Sequence, residues 1–194
     1  MLKQNHRAWV EIDLSAIKHN VRELKRLLAP RTELMAIVKA DAYGHGAVGV
    51  SQAALQAGAS WLGVATIPEG IQLRKAGITA PIAILGATNS PDEIRAIAEH
   101  RLQATLCTPK QALVFHEVLQ NFDTQVSVHL KIDTGMSRLG TDWRSATEFV
   151  QLVTSLPQLE IESVYSHLAT ADELDRTILT EQQQRFTKVV EALR

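Results

Sequence analysis

Cysteine is almost absent from this sequence: Cys107 stands alone among 194 residues. One thiol cannot form an internal disulfide, and without companions it cannot build a structural zinc site. Its neighbours in LQATLC make it a small apolar strand residue. Neither sign of charge dominates, with 20 basic against 21 acidic residues and a formal net charge of -1. That balance provides no overall attraction to nucleic acid or to an anionic membrane, and a small-molecule partner is the better expectation. The opening stretch MLKQNHRAWVEIDL lacks the apolar segment of a secretion signal, and no later run is long and uncharged enough to span a bilayer. The expectation is a soluble cytoplasmic protein. No linker or low-complexity segment interrupts the chain, whose 45% hydrophobic and 21% charged content is that of an ordinary globular domain.

What is there is an alternation of strands and helices. A short strand is expected over AWVEIDL, then a helix from about Ser15 with Ile17, Val21, Leu24 and Leu28 on one face. Six strand-then-helix units follow. The strands are ELMAIVKA, WLGVATI, PIAILGA, LQATLC, VSVHLKID and LEIESVYSHLA. The helix after PIAILGA opens on Ser90, Pro91 and Glu93, a capping box with proline at the first helical position. The last helix carries Phe186, Val189, Val190 and Leu193 at helical spacing. Apolar strands separated by helices indicate a parallel sheet covered on both faces.

Two α/β architectures compete, an open doubly wound sheet and an eight-fold barrel of the TIM type. The first should show a phosphate-binding G-x-G-x-x-G after its first strand, but that turn reads D-A-Y-G-H-G with a lysine just before it. Barrel enzymes gather functional side chains at the carboxyl ends of several strands, and Lys39, Lys131 and His167 all sit at or near such ends. The barrel is favoured. A complete one takes about 250 residues, so six units leave it roughly two short.

Lys39 ends the apolar run LMAIVK. Such a lysine either snorkels to water or, in an apolar surround that lowers its pKa, serves as a Schiff-base nucleophile. The turn after it has two glycines that let backbone approach a ligand, and Tyr43, whose hydroxyl could donate to a phosphate. In VSVHLKID, Val126, Val128, Leu130 and Ile132 alternate with Ser127, His129, Lys131 and Asp133. A solvated edge strand would alternate the same way, but in a covered barrel the polar set must point inward. Lys131 then shares a cavity with Lys39, near Arg138 of TGMSRLG. These cations would repel one another unless an anion intervened, and only Asp133 is close in sequence. A phosphorylated cofactor, a substrate carboxylate, or chemical conversion of one lysine would resolve the conflict.

VKADAYGHG, LKIDTGMSRLG and YSHLATADE resemble the three signature segments of the bacterial alanine racemases, in the same order and at similar separation. The likeness runs from WVEIDLSAIKHN through LGVATIPEGIQLRKAGI to the last residue. It implies that Lys39 forms the Schiff base with pyridoxal 5'-phosphate and acts as one of two bases exchanging the alpha proton of L- or D-alanine. It implies that Tyr43 contacts the cofactor phosphate, and that Lys131 matches a lysine carbamylated in many members. Arg138 then faces the cofactor's phenolic oxygen and the substrate carboxylate, with Met136 close to the same pocket. His167 matches a histidine supporting an arginine at the ring nitrogen. His45 and His129 are expected to be structural, Thr170 and Asp172 to serve as turn or helix-capping groups. Asp41 departs from the asparagine found in many members.

The resemblance further implies that residues 1–194 are the amino-terminal part of the family's cofactor-binding barrel. Two more strands, a β-rich second domain, most of the phosphate-holding loops and the opposite-face tyrosine base from the partner of a homodimer would then lie beyond Arg194. Two other readings stay open. One is a non-catalytic single-barrel protein that binds the same cofactor, against which TGMSRLG and its adjoining lysine weigh. The other is a fragment that binds neither cofactor nor substrate.

Overall fold

Apolar runs too short for helices, each followed by a helical segment, become strands of one parallel sheet. The structure, a computed structural model, describes residues 8–122 and 124–194. In chain order the strands are β1 (Met35–Ile37), β2 (Trp61–Val64), β3 (Ile82–Ala87), β4 (Gln103–Leu106), β5 (Val126–Asp133), β6 (Thr141–Asp142) and β7 (Leu159–Tyr165). The main sheet runs β1-β2-β3-β4-β5-β7 with every neighbouring pair parallel, and the two-residue β6 docks on the end of β5. Helices precede, connect and follow them: α1 (Leu14–Leu27), α2 (Ala47–Gln56), α3 (Ile67–Lys75), α4 (Pro91–Glu99), α5 (Pro109–Gln120), α6 (Ala146–Thr154) and α7 (Thr177–Ala192). This is the expected partial barrel of six strand-helix units.

The core lies between sheet and helices. Leu62, Ile82, Ile84 and Leu130 from the strands meet Leu73, Ile94, Phe115 and Phe149 from the helices, all fully buried. Each such side chain contributes about 1.5–3 kcal/mol on leaving water. Caps fix where helices begin: the Ser90 hydroxyl accepts from the Glu93 N–H at 3.2 Å while Glu93 accepts from the Ser90 N–H at 3.3 Å, as the sequence predicted.

The expected strand over AWVEIDL does not form. Asp13 instead caps α1, its Oδ1 accepting from the N–H groups of Ser15 at 2.8 Å and Ala16 at 3.3 Å. A strand needs a neighbour to satisfy its backbone, and none lies beside this stretch among the described residues; Trp9 is left 72% exposed. The last expected strand also stops early, at Tyr165, leaving Ser166–Ala169 as irregular backbone. Within the described residues β1 and β7 pair on one side only, the two open edges expected of a barrel short of strands.

At the amino end of the strands one cation is fully employed. The Arg74 guanidinium, at the end of α3, donates to the carbonyls of Ile78 (2.8 Å), Ala80 (2.7 Å), His100 (3.1 Å) and Arg101 (2.8 Å). It thereby ties the loops that lead into β3 and β4.

Candidate active site

The carboxyl end of the barrel is built differently. β1 ends at Ile37, and Val38 still donates to the Gly63 carbonyl of β2 at 2.8 Å, so Lys39 leaves the sheet from a fixed point. Then Ala40, Asp41, Ala42 and Tyr43 all take positive φ between 50° and 55°, a full left-handed turn without glycine. At about 1–2 kcal/mol per residue this is backbone strain of the sort that persists only when its surroundings over-determine it.

Those surroundings are visible. Ala42 N–H donates to Val38 O at 3.0 Å and Gly46 N–H to Asp41 O at 2.9 Å. Asp41 Oδ1 accepts from the Ala47 N–H at 2.7 Å, helping to start α2. His45 Nδ1 lies 3.0 Å from Ala42 O and 3.1 Å from Tyr43 O; both are acceptors, so Nδ1 carries the proton and His45 is structural, as expected. Glu69 of α3 accepts the Ala40 N–H at 2.7 Å through one oxygen, and those of Ala65 (2.7 Å) and Thr66 (2.9 Å) through the other. Burial pushes the Glu69 carboxyl up, but the backbone bonds from Ala40, Thr66 and Ala65 together outweigh it and hold the group below its ordinary value of 4.5.

The Lys39 ammonium emerges half-buried, 5.7 Å from the Tyr43 ring centroid, rather than sealed in an apolar surround. Tyr43 itself is 62% exposed. Lys131, on β5, is only 6% exposed, with its ammonium 5.6 Å from the Tyr165 ring centroid. Burial pulls the Lys131 ammonium below its usual 10.5; Cys107 and Asp133 oppose this, while Arg138 and Lys39 add repulsion. No hydrogen-bonding or ion-pair partner is found for Lys131 among the described residues. Asp133 does not serve, because its Oδ1 accepts from the N–H groups of Gly135 at 2.9 Å and Ser137 at 3.0 Å, shaping the loop that carries Met136 and Arg138. That loop closes at Gly140, where a Cβ would come within 2.8 Å of Asp133 N.

His167 follows β7 at the rim. Partial burial lowers its pKa, and the cations Arg138, Lys131 and Lys39 push the same way. Lys39, Lys131, Arg138 and His167 are thus brought into one electrostatic neighbourhood. Asp172 caps no helix; Asp175 takes the role near α7, its Oδ1 accepting from the Thr177 N–H at 2.9 Å.

Below Lys131 the interior is polar but satisfied. His129 is 4% exposed; Gln103 Oε1, an acceptor, lies 2.8 Å from its Nε2, so Nε2 carries the proton and Nδ1 accepts from the Ser163 hydroxyl at 2.7 Å. Burial lowers its pKa to about 4. Burial likewise pushes the Tyr165 phenol up to about 12, and its oxygen pairs with the Thr105 hydroxyl at 3.0 Å. Cys107 is buried at the end of β4, its thiol pushed up by burial, in keeping with an apolar strand residue.

Two residues escaped the sequence reading. Glu69 was signalled by T-I-P-E, a capping-box pattern, though nothing local announces its reach to Ala40. Gln182, 1% exposed on α7, donates to Thr134 Oγ1 (3.2 Å) and the His167 carbonyl (3.0 Å) and accepts from the Ala169 N–H (2.8 Å), joining the loops after β5 and β7. Its place in a run of three glutamines hides it.

A parallel barrel sheet with a half-buried lysine on a strained turn, facing further cations at the carboxyl ends of its strands, defines an α/β barrel protein of the enzyme-bearing kind. A family model described as the alanine racemase N-terminal domain matches residues 12–194. The chain belongs to the alanine racemase family. It is 64% identical to an alanine racemase of a Nostoc species over 188 residues, covering 96% of this chain and 49% of the relative. It is 59% identical to one of a Synechocystis species over 194 residues, covering 100% of this chain and 52% of the relative. Among solved structures, an alanine racemase of Clostridium difficile superposes with a TM-score of 0.91 at 32% identity, covering 98% of this chain and 50% of that one. One of Bacillus anthracis with bound L-Ala-P gives 0.90 at 35%, covering 99% and 50%. The chain spans about half the length of the curated relatives it matches.

Proposed function

We propose that residues 1–194 form the amino-terminal, cofactor-binding barrel part of an alanine racemase, a pyridoxal 5'-phosphate-dependent enzyme supplying D-alanine for peptidoglycan in the cytoplasm. The observation that carries this reading is the placement of Lys39 just past β1, on a strained turn, in the company of Lys131, Arg138 and His167. The donor set suits the cofactor: a primary amine for its aldehyde, and neighbouring cations for its phosphate and phenolic oxygen, the nearby Asp133 carboxylate being engaged by the N–H groups of Gly135 and Ser137. Pyridoxal 5'-phosphate, when bound, supplies an electron-withdrawing ring that makes the alpha proton of an attached amino acid removable.

The chain's own groups do the rest. Lys39 would hold the cofactor through its amine and would take or return the alpha proton from one face. Arg138 receives the substrate carboxylate, with Met136 at the pocket wall, while Tyr43 donates to the phosphate. His167 supports the ring-nitrogen side. Carbamylation of Lys131, in which the deprotonated amine adds carbon dioxide and releases a proton to solvent, would turn a buried cation into an anion able to pair with Arg138, which removes the repulsion described above. Small amino acids suit the site by family likeness, since solved relatives carry cycloserine and L-Ala-P. The full-length enzyme assembles as a homodimer on this reading.

Inversion needs a base on each face of a planar carbanion, and Lys39 supplies one. The test is alanine in deuterated water with the cofactor and this chain. One enantiomer should exchange its alpha proton with configuration retained, while racemisation stays far below that of a full-length relative. Racemisation at a full-length rate would overturn the one-base reading.

A further inference from the structure

The Glu69 carboxylate bridges two places that a helix cap alone would not connect. One oxygen receives the N–H groups of Ala65 and Thr66 at the start of α3, and the other receives the N–H of Ala40, 29 residues away in sequence and first in the left-handed turn. Lys39 therefore sits between two fixed peptides: Val38, bonded to Gly63 of β2 at 2.8 Å, and Ala40, bonded to Glu69 at 2.7 Å. The geometry points to Glu69 as a positioning residue for the reactive lysine, holding the Lys39–Ala40 peptide so that the amine is presented toward Lys131 and Arg138. This rests on the role proposed above for Lys39.

The argument is one of compensation. Four consecutive alanine, aspartate and tyrosine residues at positive φ do not hold that shape unaided. Within the turn, the Ala40 N–H is the donor whose acceptor comes from another element's side chain. A charged acceptor holds a peptide N–H about twice as strongly as a neutral one. Without it the first residue of the turn is free to return to right-handed or extended backbone, and the lysine stem moves with it.

A matched control exists in the same molecule. Glu93 occupies the same capping-box position on α4, accepting the Ser90 N–H at 3.3 Å, and has no bond to the turn. Glu69→Ala and Glu93→Ala each remove a capping-box carboxylate, and only the first also removes bonds to Ala65 and Ala40. Two quantities are read on this chain and both variants: amide hydrogen exchange at Ala40, and the rate at which pyridoxal 5'-phosphate becomes borohydride-trapped on Lys39. Glu69→Ala should speed the exchange and slow the trapping, each by roughly tenfold, the effect of losing one hydrogen bond to a charged acceptor. Glu93→Ala should leave both within about twofold. Should Glu69→Ala fail to fold, Glu69→Gln, whose single amide oxygen cannot serve both sides, should show the same direction. Equal trapping rates in the two alanine variants, or unchanged Ala40 exchange in Glu69→Ala, would reduce Glu69 to a helix cap. If the unsubstituted chain traps no cofactor on Lys39, the functional reading falls; the tie itself is then upheld or rejected by Ala40 exchange alone.

Discussion

The two ends of the barrel treat their cations in opposite ways. At the amino end Arg74 spends its guanidinium on four loop carbonyls, within a half-buried setting that leaves little of its hydrogen-bonding capacity unused. At the carboxyl end Lys131 is more deeply buried yet lacks such partners among the described residues, Lys39 leaves the sheet on a strained turn, and Arg138 and His167 stand nearby. One end is satisfied and the other is in want of an anion. On the function proposed above, stability and chemistry fall to different ends of the same strands, the division expected of barrel enzymes.

The difference can be broken first where it is greatest. Lys39→Ala should abolish covalent uptake of pyridoxal 5'-phosphate, scored by borohydride reduction and mass spectrometry, while the thermal midpoint moves little because the side chain is only half-buried. Arg74→Ala should do the reverse. Cofactor uptake should persist, but urea unfolding should show a loss of about 3 kcal/mol, since four carbonyls lose their donor together.

Between the ends, His129 supplies a pH test. Its folded pKa of about 4 lies below the ordinary 6.5, so the unfolded chain binds more protons across that interval. Stability should be complete above 6.5 and fall by on the order of 3 kcal/mol as pH drops to about 4. Denaturant titrations at several pH values would trace it, and His129→Gln, which cannot titrate there, should flatten that limb. The smallest effect is the most telling in sign: measured against the chain with an unmodified Lys131 amine, Lys131→Met should stabilise the fold by about 1 kcal/mol near neutral pH. The gain should shrink as pH rises toward 10.5, because the lysine's folded pKa is depressed and its own penalty disappears there.

Much of this contrast could be read in the sequence, and the remainder fails for identifiable reasons. The strands of the sheet were legible because each is an apolar run followed by a helix; Val126–Asp133 was bounded correctly, and Ser90 with Glu93 announced α4 by local chemistry. AWVEIDL has strand composition, but strand formation depends on a neighbour, which no local pattern supplies. The turn Ala40–Tyr43 was unreadable because four non-glycine residues at positive φ defy their propensities, and what holds them is tertiary: Glu69 of α3 and the β2 carbonyl that anchors Val38. Lys39, Lys131 and His167 drew attention because they stand at or near strand ends, Arg138 because its loop adjoins Lys131, and the roles expected of them came from the resemblance to the racemases. Gln182 was not, because an amide becomes a linchpin only once the loops it joins are in place.

The central claim is that the carboxyl end presents one amine for cofactor capture. Pyridoxal 5'-phosphate added to this chain, reduced with borohydride and mapped by peptide mass spectrometry, should mark Lys39 well ahead of every other lysine. Label absent from Lys39, or spread evenly over the surface lysines, would contradict it.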